Sequence, residues 1–343
     1  MSATRAFVHS FRAFVVQQQR IWLCLHTSPD LDAVGANMAM AAWIRHIHPG
    51  CTLRIIGADR PAPNVLQVLN AYDADLYQHL DPADVVYHAG DAVVLVDVAA
   101  VGRCSSQRDV QLPAAVPWAV VDHHQVEVTT PIACVDTTFQ SAAALVYALL
   151  QHDAVPLSQS AFAGVVMGVL GDSGFFRFRD AHLDATLAIV QDFVRTYGVD
   201  AYYQLVETLE RNRPITDFII QGLYLASLRV EPTYAYVTVT RAQKLAAGLN
   251  DAQLRGLNGA MLIRNIGTTQ FVFAVTEREV GTYSVSFRTC AGSTRSVRAF
   301  AQALGGGGHA MAAACEFAAR DIDAAVARVV ATVQGNEELK FEN

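Results

Sequence analysis

Short apolar runs in the first half of the chain stop abruptly at acids or imidazoles. Residues 114–121, broken once by Pro117-Trp118, end in Asp122-His123-His124; residues 21–25 end in His26, with Asp30 and Asp32 close behind. Residues 93–96 end in Asp97, and residues 165–170 in Gly171-Asp172-Ser173-Gly174. A buried strand delivers polar residues to a sheet edge in this way. One such ending is ordinary, because Asp is favoured in turns and at helix N-caps. In an α/β domain the strand C-termini face one crevice, so several such endings converge there.

The remaining periodicities fill in the elements. Phe7, Val8, Phe11, Phe14 and Val15 share one helical face and read as core packing. A strand over 21–25, a helix over 35–47 with Met38, Ala41, Ala42 and Trp43 as apolar members, a strand over 52–56 and a helix over 64–72 follow. After the strands ending at Asp97 and Asp122 come a short strand over 132–135 and a helix over 141–150. Residues 161–170 read as helix or strand, since Gly164 and Gly168 leave both open. This alternation predicts a parallel sheet with helices on both faces. Residues 182–228 read as helical throughout; β-branched and aromatic content then marks strands over 234–240, 269–275 and 282–288. A helix over 296–303, the run Gly305-Gly306-Gly307-Gly308-His309, an apolar segment over 310–317 and a helix over 321–334 complete the pattern, with a frayed tail over 336–343. The expected organisation is an α/β protein with a parallel-sheet domain over 1–195, a helical linker over 196–232 and a smaller α/β domain over 233–343 that carries the glycine-rich loop.

Composition narrows the class. At 343 residues the chain exceeds what one core usually organises, which supports two domains. Apolar residues make up 52% and charged residues 17%, yet no apolar run reaches the roughly 18 residues that span a bilayer. Residues 1–20 lack a signal-peptide pattern. The expectation is therefore a soluble protein without a membrane partner. The 6 cysteines have no paired spacing and sit in apolar surroundings, as buried reduced thiols of a cytoplasmic protein would. A net charge of −7 argues against a long basic surface for nucleic acid but leaves room for a small anion held locally.

The clustered residues carry the chemistry. Carboxylates crowded within a few ångströms repel unless a cation lies between them, so convergence of the four endings, with His26, Asp30, Asp32, Asp97, Asp122, His123, His124 and Asp172, implies metal. In the second half, Gly305–308 would let backbone N–H groups approach an anion, with His309 as a further donor; Arg288 is a candidate bidentate partner. A C-cap or hinge is the alternative reading of the glycines.

The segments from His26 to Asp32 with Gly35, Asp97, Asp122-His123-His124, Gly171 to Gly174 and Gly305 to His309 resemble, in order and approximate spacing, the DHH phosphoesterase superfamily. Within it the glycine-rich end is similar to the nanoRNase and pAp phosphatase branch (NrnA-like), more distantly to RecJ. The resemblance implies two Mn²⁺ or Mg²⁺ ions. His26 and Asp30 would hold one, Asp32, His123 and Asp172 the other, and Asp97 would bridge both. Asp122 would orient a ligating histidine and count with Asp97, His123 and His124 as catalytic. His124, Arg288, Gly306, Gly307, Gly308 and His309 would bind substrate phosphate or terminal nucleotide.

The chain departs from that pattern at Ala36-Asn37, at Val98-Ala99-Ala100 and in Ala312-Ala313-Ala314-Cys315, which lacks a glycine before the cysteine. These positions bear on rate and substrate fit, not on metal ligation. The implied activity is hydrolysis of short RNA oligonucleotides to 5′-mononucleotides and of 3′-phosphoadenosine 5′-phosphate (pAp). The alternatives are a phosphodiesterase for dinucleotides such as pApA or c-di-AMP and a non-catalytic nucleotide sensor. A pyrophosphatase of the superfamily fits less well, since no Arg- and Lys-rich C-terminal signature is present. Oligomeric state is left open, with a homodimer as the candidate assembly.

Overall fold

The computed structural model describes residues 3–107, 109–211, 215–249 and 259–335. The chain divides into two compact units, Met1–Arg213 and Pro214–Asn343. The segment expected to be a separate linker is thereby split. Its first helix packs through Ala201, Leu205 and Leu209 into the core of the first unit, and its second buries Ile220 and Tyr224 in the other. Amphipathic helices seek the nearest apolar surface, and each found one.

The first unit runs α1 (Ala3–Val15), β1 (Arg20–Cys24), α2 (Leu31–Ile47), β2 (Thr52–Gly57), α3 (Pro63–Tyr72), β3 (Tyr77–His79), β4 (Asp91–Val96), β5 (Trp118–Asp122), β6 (Ala133–Val135), α4 (Ala142–His152), α5 (Gln159–Asp172), α6 (Leu183–Tyr197) and α7 (Val199–Arg211). Its strands form a six-stranded sheet in the order β3-β2-β1-β4-β5-β6, parallel at every pairing. Ile21, Leu23, Val94, Val96, Ala119 and Val121 bury one sheet face under the helices. The opposite face, with Trp22, Cys24, Val93, Leu95 and Val120, packs against Val98, Cys104 and Val116 of connecting segments. Helices therefore cover one face, not both: among the described residues, the connections through 80–90 and 97–117 carry just the short 3-10 turns Pro82–Asp84 and Val101–Arg103.

Residues 161–170 lie within α5, a helix. Its glycines explain both the ambiguity and the outcome. A Cβ on Gly35 would sit 2.1 Å from the Gly164 carbonyl oxygen, and one on Gly168 would sit 2.5 Å from Ala143 Cβ. Removing side chains lets α2, α4 and α5 approach backbone to backbone, so these glycines serve helix packing and not a strand. The Asp172 ending is thus a helix C-terminus.

The second unit comprises α8 (Ile215–Ala226), β7 (Arg229–Val230), β8 (Tyr234–Val239), α9 (Arg241–Ala246), α10 (Gly259–Ile263), β9 (Phe271–Glu279), β10 (Thr282–Thr289), α11 (Arg298–Ala303), β11 (Gly307–Gly308), β12 (Ala312–Ala318) and α12 (Ile322–Gly335). Its sheet has the order β11-β12-β10-β9-β8-β7, with β8 and β9 parallel and the other pairs antiparallel. Tyr283, Val285 and Phe287 alternate onto the face packed with Phe300 and Val329, leaving Arg288 on the other side of β10. Among the described residues no helix is long and apolar enough to cross a membrane. All of the cysteines are free, and only Cys134 is not buried.

Candidate metal centre

Each acid or imidazole of the first unit is set by a local device. Leu25 extends the sheet ladder by donating to the Ile56 carbonyl (2.8 Å), so His26 emerges beyond the edge of β1. Its Nδ1 donates to the Thr27 carbonyl (2.8 Å), which turns Nε2 toward Asp30 Oδ1 (3.9 Å) and Asp97 Oδ2 (3.5 Å). Asp30 is the N-cap of α2: its Oδ1 accepts from the Asp32 and Ala33 amides, both at 3.0 Å. Asp32, in the first turn of the same helix, is fully buried. Its carboxylate accepts from the first amides of α4, Ala142 (2.6 Å) and Ala143 (2.9 Å), where unpaired N–H groups and the helix dipole favour an anion.

Asp97 follows β4 with φ at +64°, a left-handed conformation that Asp tolerates better than most residues. Its amide donates to the Val121 carbonyl (3.0 Å), which holds the turn against β5. From there Oδ1 lies 3.3 Å from His123 Nε2 and 3.6 Å from His124 Nδ1, while Oδ2 faces His26. His123 Nε2 lies equally near Asp172 Oδ2 (3.3 Å) and 3.8 Å from Asp32 Oδ2. His26, Asp30, Asp32, Asp97, His123, His124 and Asp172 thus gather at one sheet edge.

The electrostatics are those of a crowded site. Burial works against ionised Asp97, but the His123 and His26 imidazoles outweigh it and hold its carboxyl down to about 2. Burial raises Asp172, and the Asp30 charge adds to this, bringing it to about 7. Burial together with Asp97 and Asp172 pushes Asp32 well above the usual carboxylate range. At His26, Asp97 with the Thr27 carbonyl and Asp30 overcomes burial and raises it to about 9, and Asp97 with Asp172 raises His123 too. Asp97 Oδ1 and His123 Nε2 are buried and face each other at 3.3 Å, but neither makes a well-formed hydrogen bond to any described residue. Unsatisfied buried polar atoms are costly, and a cation between them removes that cost. The donor atoms of His26, Asp30 and Asp97 lie within 4.8 Å of one another, as do those of Asp32, His123 and Asp172, and those of Asp97, His123 and His124. Mixed imidazole and carboxylate donors suit a divalent ion such as Mn²⁺, so the residues fit the group.

Asp122 has a different partner from the one expected. Its Oδ1 accepts from the His124 amide (3.0 Å) and from His124 Nδ1 (2.8 Å), so it orients the half-exposed His124. His123 is held by Phe139, whose carbonyl accepts from Nδ1 (3.3 Å). Phe139 and the Ala142 and Ala143 amides were not legible as site groups, because backbone contacts leave no residue-type signal. Ser141 was the available hint: it caps α4 by accepting from the Ala144 amide (3.1 Å) and so marks where free helix amides begin.

In the second unit the glycine run divides by role. Gly305, with φ at +84°, and Gly306 close the C-terminus of α11 by donating to Gln302 (3.0 Å) and Ala301 (2.8 Å) carbonyls. A Cβ on Gly306 would meet the Ala314 carbonyl oxygen at 2.1 Å, so close strand approach requires glycine there. Gly307 and Gly308 pair with Ala314 and Ala313 as an edge strand, and the His309 amide donates to the Ala312 carbonyl (2.8 Å). An anion cradle built from all of these amides does not form: those of Gly305, Gly306 and His309 are engaged within the unit. Arg288 pairs with Ala312 in the sheet, near the His309 turn, and burial followed by the Arg264 charge lowers its pKa.

Comparison with known proteins agrees with this architecture. The family model described as DHH family, N-terminal domain matches residues 20–169, and the DHHA1 domain matches residues 231–335. A probable bifunctional oligoribonuclease and PAP phosphatase NrnA from Streptococcus mutans is 24% identical over 290 residues, covering 84% of this chain and 86% of the relative. The bifunctional oligoribonuclease and PAP phosphatase NrnA from Thermus thermophilus is 27% identical over 330 residues, covering 93% and 90%. The crystal structure of an exopolyphosphatase-related protein from Bacteroides fragilis superposes with a TM-score of 0.80 at 16% identity, covering 96% of this chain and 97% of that one, which shows a shared fold. With a DHH domain followed by a DHHA1 domain over most of its length, the chain belongs to the DHH family of phosphoesterases, and its acids and imidazoles gather in groups that could hold a divalent ion.

Proposed function

We propose that this phosphoesterase hydrolyses short RNA oligonucleotides to 5′-mononucleotides and removes the 3′-phosphate of pAp, using two Mn²⁺ ions. The observation that carries the metal part is the pair of buried atoms Asp97 Oδ1 and His123 Nε2, 3.3 Å apart without a well-formed hydrogen bond and centred among acids that repel one another without a cation. His26 and Asp30 would hold one ion and Asp32, His123 and Asp172 the other, with Asp97 placed to contribute to both. When bound, such ions would supply Lewis-acid activation of the phosphate and of a water nucleophile. His124, oriented by Asp122, meets the phosphate being cut. Arg288 and His309 hold the terminal nucleotide, with Gly306, Gly307 and Gly308 shaping the turn beside them. The substrate class follows the activities named for the Streptococcus and Thermus relatives.

The net charge of −7 supplies no extended basic track for a long strand, so substrates of roughly two to five nucleotides are preferred. Purified protein with Mn²⁺ is tested against RNAs from a 2-mer to a 24-mer, pAp and pApA, with products resolved. Faster turnover of the shortest RNAs and of pAp supports the reading. A kcat/KM for the 24-mer equal to that of a 3-mer, with steep salt dependence, overturns the length preference, and turnover of pApA alone reassigns the substrate. Hydrolysis that persists in excess chelator removes the metal from the account.

A further inference from the structure

The two ligand sets are supported in different ways. His26 and Asp30 are held by their own neighbours, through the Thr27 carbonyl and the Asp32 and Ala33 amides. Asp32, His123 and Asp172 come from three distant parts of the chain, yet one short segment touches all of them. The Phe139 carbonyl takes His123 Nδ1 (3.3 Å), Gln140 Nε2 donates to the Asp172 carbonyl (3.1 Å), and the Ala142 and Ala143 amides hold Asp32 (2.6 and 2.9 Å).

Gln140 is the only side chain in that bracket, and its partner is informative. Asp172 is the last residue of α5, so its carbonyl is one of the orphan acceptors at a helix C-terminus. By donating to it, Gln140 ties the end of α5 to the segment that already holds His123 and Asp32. We infer that Gln140 is a positioning residue that keeps Asp172 in register with Asp32 and His123, and thereby sets the affinity of that ion alone. This inference rests on the two-ion reading above. Groups that hold a ligating residue in place without touching the metal commonly change affinity by roughly tenfold or more when removed. Gln140 also borders a cavity of about 520 Å³ lined with Thr138, Ala144, Tyr147, His182 and Thr186, so shortening or replacing it does not disturb a packed core.

The test titrates Mn²⁺ into metal-free wild type, Gln140→Met and Gln140→Lys, reading the free-ion signal by electron paramagnetic resonance. Met preserves side-chain length but cannot donate; Lys keeps a donor. In Gln140→Met one of the two Mn²⁺ equivalents weakens by roughly tenfold while the other stays within about twofold, and Gln140→Lys recovers most of the loss. The melting temperature of the metal-free variant matches wild type. Unchanged affinity for both ions overturns the inference. So does equal weakening of both together with a lowered melting temperature, which marks Gln140 as a fold residue. Wild type that binds no Mn²⁺ defeats the two-ion reading itself, a result seen before any variant is compared.

Discussion

The acid cluster of the first unit and the glycine turn of the second were both conspicuous in sequence, and they hold together by opposite means. In the cluster, side chains converge, and buried atoms such as Asp97 Oδ1 and His123 Nε2 face each other at 3.3 Å without a well-formed hydrogen bond. In the turn, side chains are absent and the backbone satisfies itself: the Gly305, Gly306 and His309 amides all donate within the unit. Unsatisfied groups in the first case point to a ligand. Satisfied groups in the second say that glycine there serves close packing, as the 2.1 Å approach at Gly306 requires, which leaves the proposed nucleotide contacts to side chains such as Arg288 and His309.

The largest effect separating the two regions is expected from Asp97→Asn. Losing the carboxylate that faces His26, His123 and His124 should lower kcat/KM by more than about tenfold at saturating Mn²⁺ and raise the metal requirement. A variant that retains more than about a tenth of wild-type activity would show that Asp97 does not serve both ions. By contrast, Arg288→Ala and His309→Ala should raise KM while leaving Mn²⁺ stoichiometry at the wild-type value. A measured loss of bound metal in either would place them in the wrong role.

Next is Gly168→Ala. The added Cβ would lie 2.6 Å from Asp32 Oδ1, so it should both cost about 1–3 kcal/mol of stability and displace an ion ligand. Urea unfolding and Mn²⁺ binding measured on the same variant check the two parts, and wild-type values for both would mean that α5 can shift aside.

The smallest effect is on pH dependence in the metal-free protein. His26 is raised to about 9, so its stabilising contribution is full below the unfolded value of 6.5 and fades as pH rises through 9. Asp172 is raised to about 7 from 3.8, so its ionised form weakens the fold increasingly across that interval. Both terms make metal-free stability decline from about pH 4 toward pH 9. Asp97, held at about 2, acts oppositely and only in acid, losing its contribution as pH falls below 3.8. Thermal melts across this range should show the decline, and saturating Mn²⁺ should flatten its alkaline limb. A metal-free protein that gains stability toward pH 9 would contradict the assigned environments.

The fold class and the gathering of the candidate site residues were both legible in sequence. Residues that end an apolar strand in Asp or His announce themselves, and His26, Asp97 and the Asp122 to His124 triplet stand just past or at the ends of β1, β4 and β5. Asp172 looked like one of these but ends a helix, because the glycines that allow α5 to touch α2 also blur its periodicity. Covering helices were expected on both sheet faces, yet the connections after β3 and β4 are loops with short turns, a matter of tertiary coverage that local pattern does not encode. The bracket from Phe139 to Ala143 works mainly through backbone groups, which every residue possesses, so nothing in residue type marked it.

Anomalous diffraction at the manganese edge, from crystals soaked in Mn²⁺, tests the central claim most directly. The account predicts a peak among His26, Asp30 and Asp97 and a second among Asp32, His123 and Asp172, with Asp97 between them. A single peak, or peaks that leave Asp97 Oδ1 and His123 Nε2 without a metal neighbour, would contradict it.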